Sequence, residues 1–235
     1  MAAHQTADPM HARRDIWVPH IRSLVLAQQE EHRNRGDDEE GRCNGPPQIV
    51  LVGHSSGAQA ALRYAERYPV HAVILVAATY SDLDDDHERA SGYYPSEIVK
   101  TKMTKNNKED TETIILNPYD FDSMQRNCPV WYQFHSDDDP FIPLHEAHKI
   151  RDGLGLVDAE VTTTVLDGND NIAEDEDAKK NKVFYLLPGR SHFFEFSTEI
   201  LDSVLSVCWS KITHDRNQNQ FWIRRDTKRQ KKKEI

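Results

Sequence analysis

The pentapeptide GHSSG, Gly53 to Gly57, constrains this chain more than any other feature, because it joins two segments of opposite character. Before it runs QIVLVG, apolar and β-branched, the pattern of a strand buried on both faces of a parallel sheet. After it, SGAQAALRYAERYP carries Ala60, Ala61, Tyr64, Ala65 and Tyr68 at near-helical spacing until Pro69 stops it. A strand that turns this sharply into a helix forces the residue at the bend into a strained conformation. Ser55 stands at that bend, in the pattern of a nucleophile elbow, with its hydroxyl projecting at the strand's carboxyl edge. Gly53 and Gly57 are read as the spacers that let strand and helix approach without Cβ clashes.

Further short apolar runs repeat the strand signal: His71 to Ala78, Val130 to His135, Val183 to Pro188, and the weaker VTTTVL, Val161 to Leu166. Helical patterns cover Leu144 to Leu154 and Phe194 to Ile212. Strands alternating with helices predict an α/β fold with a mostly parallel sheet flanked by helices.

Composition dilutes this centre. Hydrophobic residues are 37%, charged residues 29%, and mean hydropathy is −0.74, so polar segments must interrupt the core. Three such segments stand out. A lysine- and asparagine-rich stretch, about 97–116, and an acidic one, about 167–182, read as exposed loop insertions. Residues 213–235 form a basic tail, expected to be mobile and solvated, although such runs also serve as nuclear-localisation or anionic-surface patches. The expected organisation is one domain, 1–212, followed by that tail.

Twenty-nine basic against thirty-nine acidic residues give a net charge of −10, which disfavours a nucleic-acid partner. The longest apolar run, Ala72 to Ala78, is far shorter than the roughly 20 residues that span a bilayer, so no membrane partner is expected. Cys43, Cys128 and Cys208 are an odd number at wide spacing, reading as reduced thiols in a cytoplasmic protein.

A serine hydroxyl needs a base, and the base needs an orienting carboxylate. In the strand order implied by the elbow, the acid follows a later strand and the histidine follows the last one. SDDDPFIP, after Val130 to His135, offers Asp137, Asp138 and Asp139, and spacing alone does not choose among them. A single working carboxylate with solvated neighbours is the simplest reading of that loop. GRSHFF, after Val183 to Pro188, offers His192. His54 is read as packing beside the elbow, and the Ser56 backbone N–H, at the helix start, as an oxyanion donor. His145 and His148 lie three apart on a helix but lack a third ligand, so no metal and no cofactor are expected. Tyr93, Tyr94, Tyr119 and Phe121 lie between elbow and acid and are read either as a substrate wall or as ordinary core.

Several stretches resemble one family in family order: DPMHARRDIWVP (Asp8 to Pro19), the segment Val52 to Leu83, HERASGYY (His87 to Tyr94), NCPVWYQFHSDDDPFIP (Asn127 to Pro143) and GRSHFFEF (Gly189 to Phe196). This family is the small α/β-hydrolase-fold serine hydrolases typified by retinoblastoma-binding protein nine. The resemblance implies an α/β-hydrolase sheet, with nucleophile Ser55, acid Asp139 and base His192. It implies hydrolysis of small-molecule esters or amides through an acyl-enzyme. It also implies a preceding strand and a Pro-Gly-x-Gly-Gly-Gly loop carrying a second oxyanion donor, and neither is found before Asp8. Loss of one such donor costs about 10² to 10³ in turnover, so the alternative expectation is an impaired pseudoenzyme or a protein-interaction scaffold. The family's Leu-x-Cys-x-Glu motif is absent, Cys43 standing in GRCNG, so pocket-protein binding is not carried over.

Overall fold

The structure is a computed structural model, and it describes residues 8, 10–34, 47–103, 109–159, 181–195 and 197–207. They fall into two units divided between Phe194 and Glu195. The first unit contains α1 (Arg14–Asn34), β1 (Val50–His54), α2 (Ser56–Ala65), β2 (Ala72–Val76), α3 (Asp86–Ser91), β3 (Ser96–Met103) and β4 (Glu109–Leu116). It continues with α4 (Phe121–Asn127), β5 (Val130–Ser136), α5 (Leu144–Leu154), β6 (Val157–Asp158) and β7 (Lys182–Leu187). In the second unit the described helix spans residues 198–207, and Ser197 Oγ accepts from the Ile200 N–H at its start.

Among the described residues five strands form one sheet in the order β1-β2-β5-β7-β6, and each of its pairings is parallel. The α/β architecture is therefore as the sequence predicts. β2 is buried along its whole length, which its unbroken AVILV composition requires of a strand covered on both faces. β1 corrects the expectation of a strand buried on both faces: among the described strands it lies at one edge, where Val52 is 53% exposed and Gly53 is the buried residue.

α2 is the best-covered helix. Ala58, Ala60, Ala61, Leu62, Tyr64 and Ala65 are all buried, and the small side chains let its axis lie close to the sheet. Arg63 is also buried, with its charge fully used. Its Nε and Nη2 donate to the Tyr93 carbonyl, Nη2 also to the Asn117 carbonyl, and Nη1 to Glu66 and the Pro118 carbonyl. The guanidinium stacks 4.1 Å from the Tyr119 ring centroid.

The stretch read as the first loop insertion is instead a β-hairpin. β3 and β4 pair antiparallel from Ser96↔Leu116 to Met103↔Glu109 and form a sheet of their own. The strand signal was hidden because the ribbon lacks a consistently buried face: Val99 is 62%, Ile115 54% and Leu116 43% exposed. α1 is a second element absent from the sequence reading. Its charged composition and Pro19 mask a stripe, Trp17, Val18, Ile21 and Val25, that packs on the core. The expected strand Val161 to Leu166, the acidic stretch up to residue 180, Cys43, Cys208 and the basic tail lie outside the described residues. Cys128 is buried and free, and burial pushes its thiol up to about 12, so it is protonated at neutral pH.

Candidate active site

Ser55 follows the last residue of β1 and precedes α2, with φ 54° and ψ −122°. A non-glycine residue with this backbone is strained, and the surroundings hold it. The Ser55 N–H donates to the Val76 carbonyl at 2.9 Å, and its own carbonyl accepts from Ala58 and Gln59, opening the helix. A Cβ on Gly53 would lie 2.3 Å from the Gly57 carbonyl oxygen, so this position admits only glycine. The paired expectation for Gly57 is corrected: a Cβ there would meet nothing within 4 Å. The Ser56 N–H lies in the first helical turn, where no intrahelical acceptor exists, so it is free to receive an anionic oxygen.

The structure brings Asp139 to His192. Asp139 Oδ2 lies 2.8 Å from His192 Nδ1, and Oδ1 accepts from the Phe141 and Ile142 N–H groups at 2.9 and 3.1 Å. The carboxylate has no exposed side-chain surface, and it fixes the imidazole with Nδ1 protonated and Nε2 as the free basic atom. His192 is 6% exposed. Its neighbours Ser191 and Phe193 both have positive φ, 50° and 55°. The loop is held in this strained shape by the other two aspartates, which are not merely solvated. Asp137 Oδ1 accepts from the Gly189 N–H at 3.1 Å, and Asp138 Oδ1 from the Ser191 N–H at 2.8 Å and the Ser136 hydroxyl at 2.6 Å. The Ser136 hydroxyl, and then the Ser191 N–H, hold the Asp138 carboxyl below the usual range.

His54 faces His192. Its Nε2 lies 2.8 Å from the His192 carbonyl oxygen, and the two rings are 4.9 Å apart. Burial lowers the His54 pKa, so the ring is neutral at pH 7, and a carbonyl partner requires the proton on Nε2. Among the described residues the Ser55 side chain makes no cap hydrogen bond to α2, and nucleophile–base contacts commonly tighten only when substrate binds. A cavity of about 270 Å³ opens at Ser55, with Met10, His11, Trp17, His87, Glu88 and Ser91 around it.

The four aromatic residues read as a possible substrate wall do not line that cavity. Tyr93 is fully buried and Tyr119 nearly so, packed over Arg63, and the Tyr119 hydroxyl donates to Gln59. Phe121 abuts Gly153 of α5, while Tyr94 reaches the cavity only by donating to Glu88. The exposed aromatics beside the histidine are Phe141 and Phe194, centred 5.1 and 5.3 Å from the His192 ring. Their sequence signal was adjacency to DDDP and to His192, which the sequence reading passed over. His145 pairs with Glu146 at 3.3 Å, whereas His148 packs edge-on against Phe184. Among the described residues no group of three or more metal-ligating side chains converges.

A family model described as alpha/beta hydrolase family matches residues 8–200. The chain belongs to the alpha/beta hydrolase family. The chain is 35% identical over 152 residues to serine hydrolase RBBP9 of Rattus norvegicus, a match covering 65% of the chain and 61% of the relative. It thus spans about three fifths of that relative's length. Among solved structures it is similar to the ydeN gene product of B. subtilis, with TM-score 0.50 and 14% identity over 87% of this chain and 80% of that one. That likeness concerns the fold alone. Among the described residues no helix is long and apolar enough to cross a membrane.

Proposed function

We propose that this alpha/beta hydrolase is a serine hydrolase of small-molecule esters or amides, with Ser55 as nucleophile, His192 as base and Asp139 as the carboxylate that orients it. The observation that carries the reading is the 2.8 Å bond from Asp139 Oδ2 to His192 Nδ1, on a loop that also contacts the elbow residue His54. In the proposed cycle, His192 Nε2 takes the Ser55 proton as Oγ bonds to the acyl carbon. The carbonyl oxygen becomes an oxyanion, and the Ser56 N–H donates to it. Collapse breaks the bond to the alcohol or amine, which leaves with the proton from His192 Nε2. Water then repeats the sequence on the acyl-enzyme, returning Ser55 and releasing the acid. A cavity of about 270 Å³ suits small acyl groups.

A fluorophosphonate probe tests this directly. Covalent labelling of the wild type, abolished in Ser55→Ala, is the expected result. A folded protein that does not label overturns it and favours a role as a protein-interaction scaffold.

A further inference from the structure

The sheet order creates a positioning problem at the candidate site. Ser55 follows β1, at one edge, whereas His192 follows β7, and β2 and β5 intervene. Three strand spacings separate β1 from β7, about 14 Å. Asp139 avoids this difficulty, because it follows β5, the direct neighbour of β7. Among the described residues, hydrogen bonds that hold the loop on the β5 side include the Gly189 N–H to Asp137, the Arg190 N–H to Ser136 Oγ, the Ser191 N–H to Asp138, and His192 Nδ1–H to Asp139. None of them ties the loop to β1. The hydrogen bond that reaches the other side runs from His54 Nε2 to the His192 carbonyl oxygen, at 2.8 Å, with the rings tilted at 52°.

We infer that His54 is a positioning residue: its Nε2–H anchors the His192 main chain to the elbow, so that one hydrogen bond sets the distance between the nucleophile and the base. The inference rests on the assignment of Ser55 and His192 above. The backbone supports it. His192 sits between two residues in the left-handed region, a shape that persists only when contacts on both sides over-determine it. Removing the β1-side anchor lets the imidazole drift while Asp139 still holds it, and a displacement of about 1 Å costs roughly 10²-fold in rate. His54 takes no part in proton transfer, because its Nε2 proton is committed to a carbonyl.

The experiment compares His54→Leu, which removes the donor, with His54→Gln, whose amide N–H has similar reach, using p-nitrophenyl acetate turnover and the fluorophosphonate labelling rate. The expected result is a kcat roughly 10- to 100-fold lower in His54→Leu, with KM changed less than about twofold and most of the rate restored in His54→Gln. Equal rates in wild type and His54→Leu overturn the inference, as does a folded His54→Gln no better than His54→Leu. Long-range ¹H–¹⁵N correlation on the wild-type protein needs no variant to fold: His54 protonated on Nε2 supports the anchor, and protonation on Nδ1 alone overturns it. If the wild type neither labels nor turns over, the functional assignment fails, while the tautomer measurement still decides the hydrogen bond.

Discussion

Asp138 Oδ1 accepts a 2.8 Å hydrogen bond from the Ser191 N–H, which ties the carboxylate beside Asp139 to the residue before His192. Two adjacent aspartates thus divide the work, one gripping the loop and the other the ring it carries. The Asp138 carboxyl is held below its usual range by the Ser136 hydroxyl and then by Ser191. A depressed folded-state pKa means stability that is present above the unfolded value, about 3.9 for aspartate, and lost as pH falls through the folded one. Asp138→Asn is expected to be less stable than wild type at pH 7, with the gap closing below about pH 3.9. Urea midpoints measured across that range check it.

Asp139→Asn should keep the fold, because an amide oxygen can still accept from Phe141 and Ile142. Its NH2 group would then face His192 Nδ1 and favour the wrong imidazole tautomer. We expect kcat for p-nitrophenyl acetate to drop about 10³- to 10⁴-fold, the scale seen when the equivalent aspartate of a serine protease is changed to asparagine. An unchanged melting curve alongside that drop separates chemistry from folding.

The two glycines of the elbow should respond oppositely. Gly53→Ala places a Cβ 2.3 Å from the Gly57 carbonyl, so it is expected to unfold the elbow and abolish fluorophosphonate labelling. Gly57→Ala meets open space and exchanges glycine for the best helix former, so stability should rise by up to about 1 kcal/mol. Denaturant titration of both variants tests the pair.

Glu146, 1% exposed on α5, holds the loop that leaves β2. Its Oε2 accepts from the Thr79 hydroxyl, the Tyr80 and Ser81 N–H groups and the Ser81 hydroxyl, and Oε1 accepts from Lys149 at 2.7 Å. Glu146→Ala leaves the Thr79, Tyr80 and Ser81 donors without their acceptor, each costing about 1 to 3 kcal/mol where water cannot reach it, and is expected to cost about 3 to 5 kcal/mol in all. That corresponds to a melting-temperature drop on the order of 10 °C, and Glu146→Gln should lose less.

The elbow was legible because its causes are local. An apolar strand, a bend that forces positive φ and a small-residue helix are adjacent in the chain, and the observed backbone at Ser55 follows from them. α5 was equally legible, since its apolar spacing survives in a short segment, Leu144–Leu154. The hairpin β3–β4 was not, because its exposed Val99, Ile115 and Leu116 give no single buried face to recognise. The tyrosines left two readings open, substrate wall or ordinary core, and the structure places Tyr93, Tyr94 and Tyr119 in the core. Nothing in their spacing reveals that Arg63 lies beneath them, and a buried cation attracts ring faces and backbone carbonyls that would otherwise be free.

By itself the sequence determined the α/β class, the positions of strands β1, β2, β5 and β7, and the order in which a serine, an acidic loop and a histidine occur along the chain. Those properties depend on hydrophobic pattern and turn sterics within a few residues. Spacing left three aspartates open and the family resemblance pointed to Asp139; only the tertiary structure decided that Asp139 touches His192, what Asp137 and Asp138 hold, and that His54 reaches across to the last loop. Each of these is set by the strand order β1-β2-β5-β7-β6, which brings together residues more than fifty positions apart. Contacts of that kind depend on how the strands are laid side by side, and no local pattern in the chain encodes that arrangement.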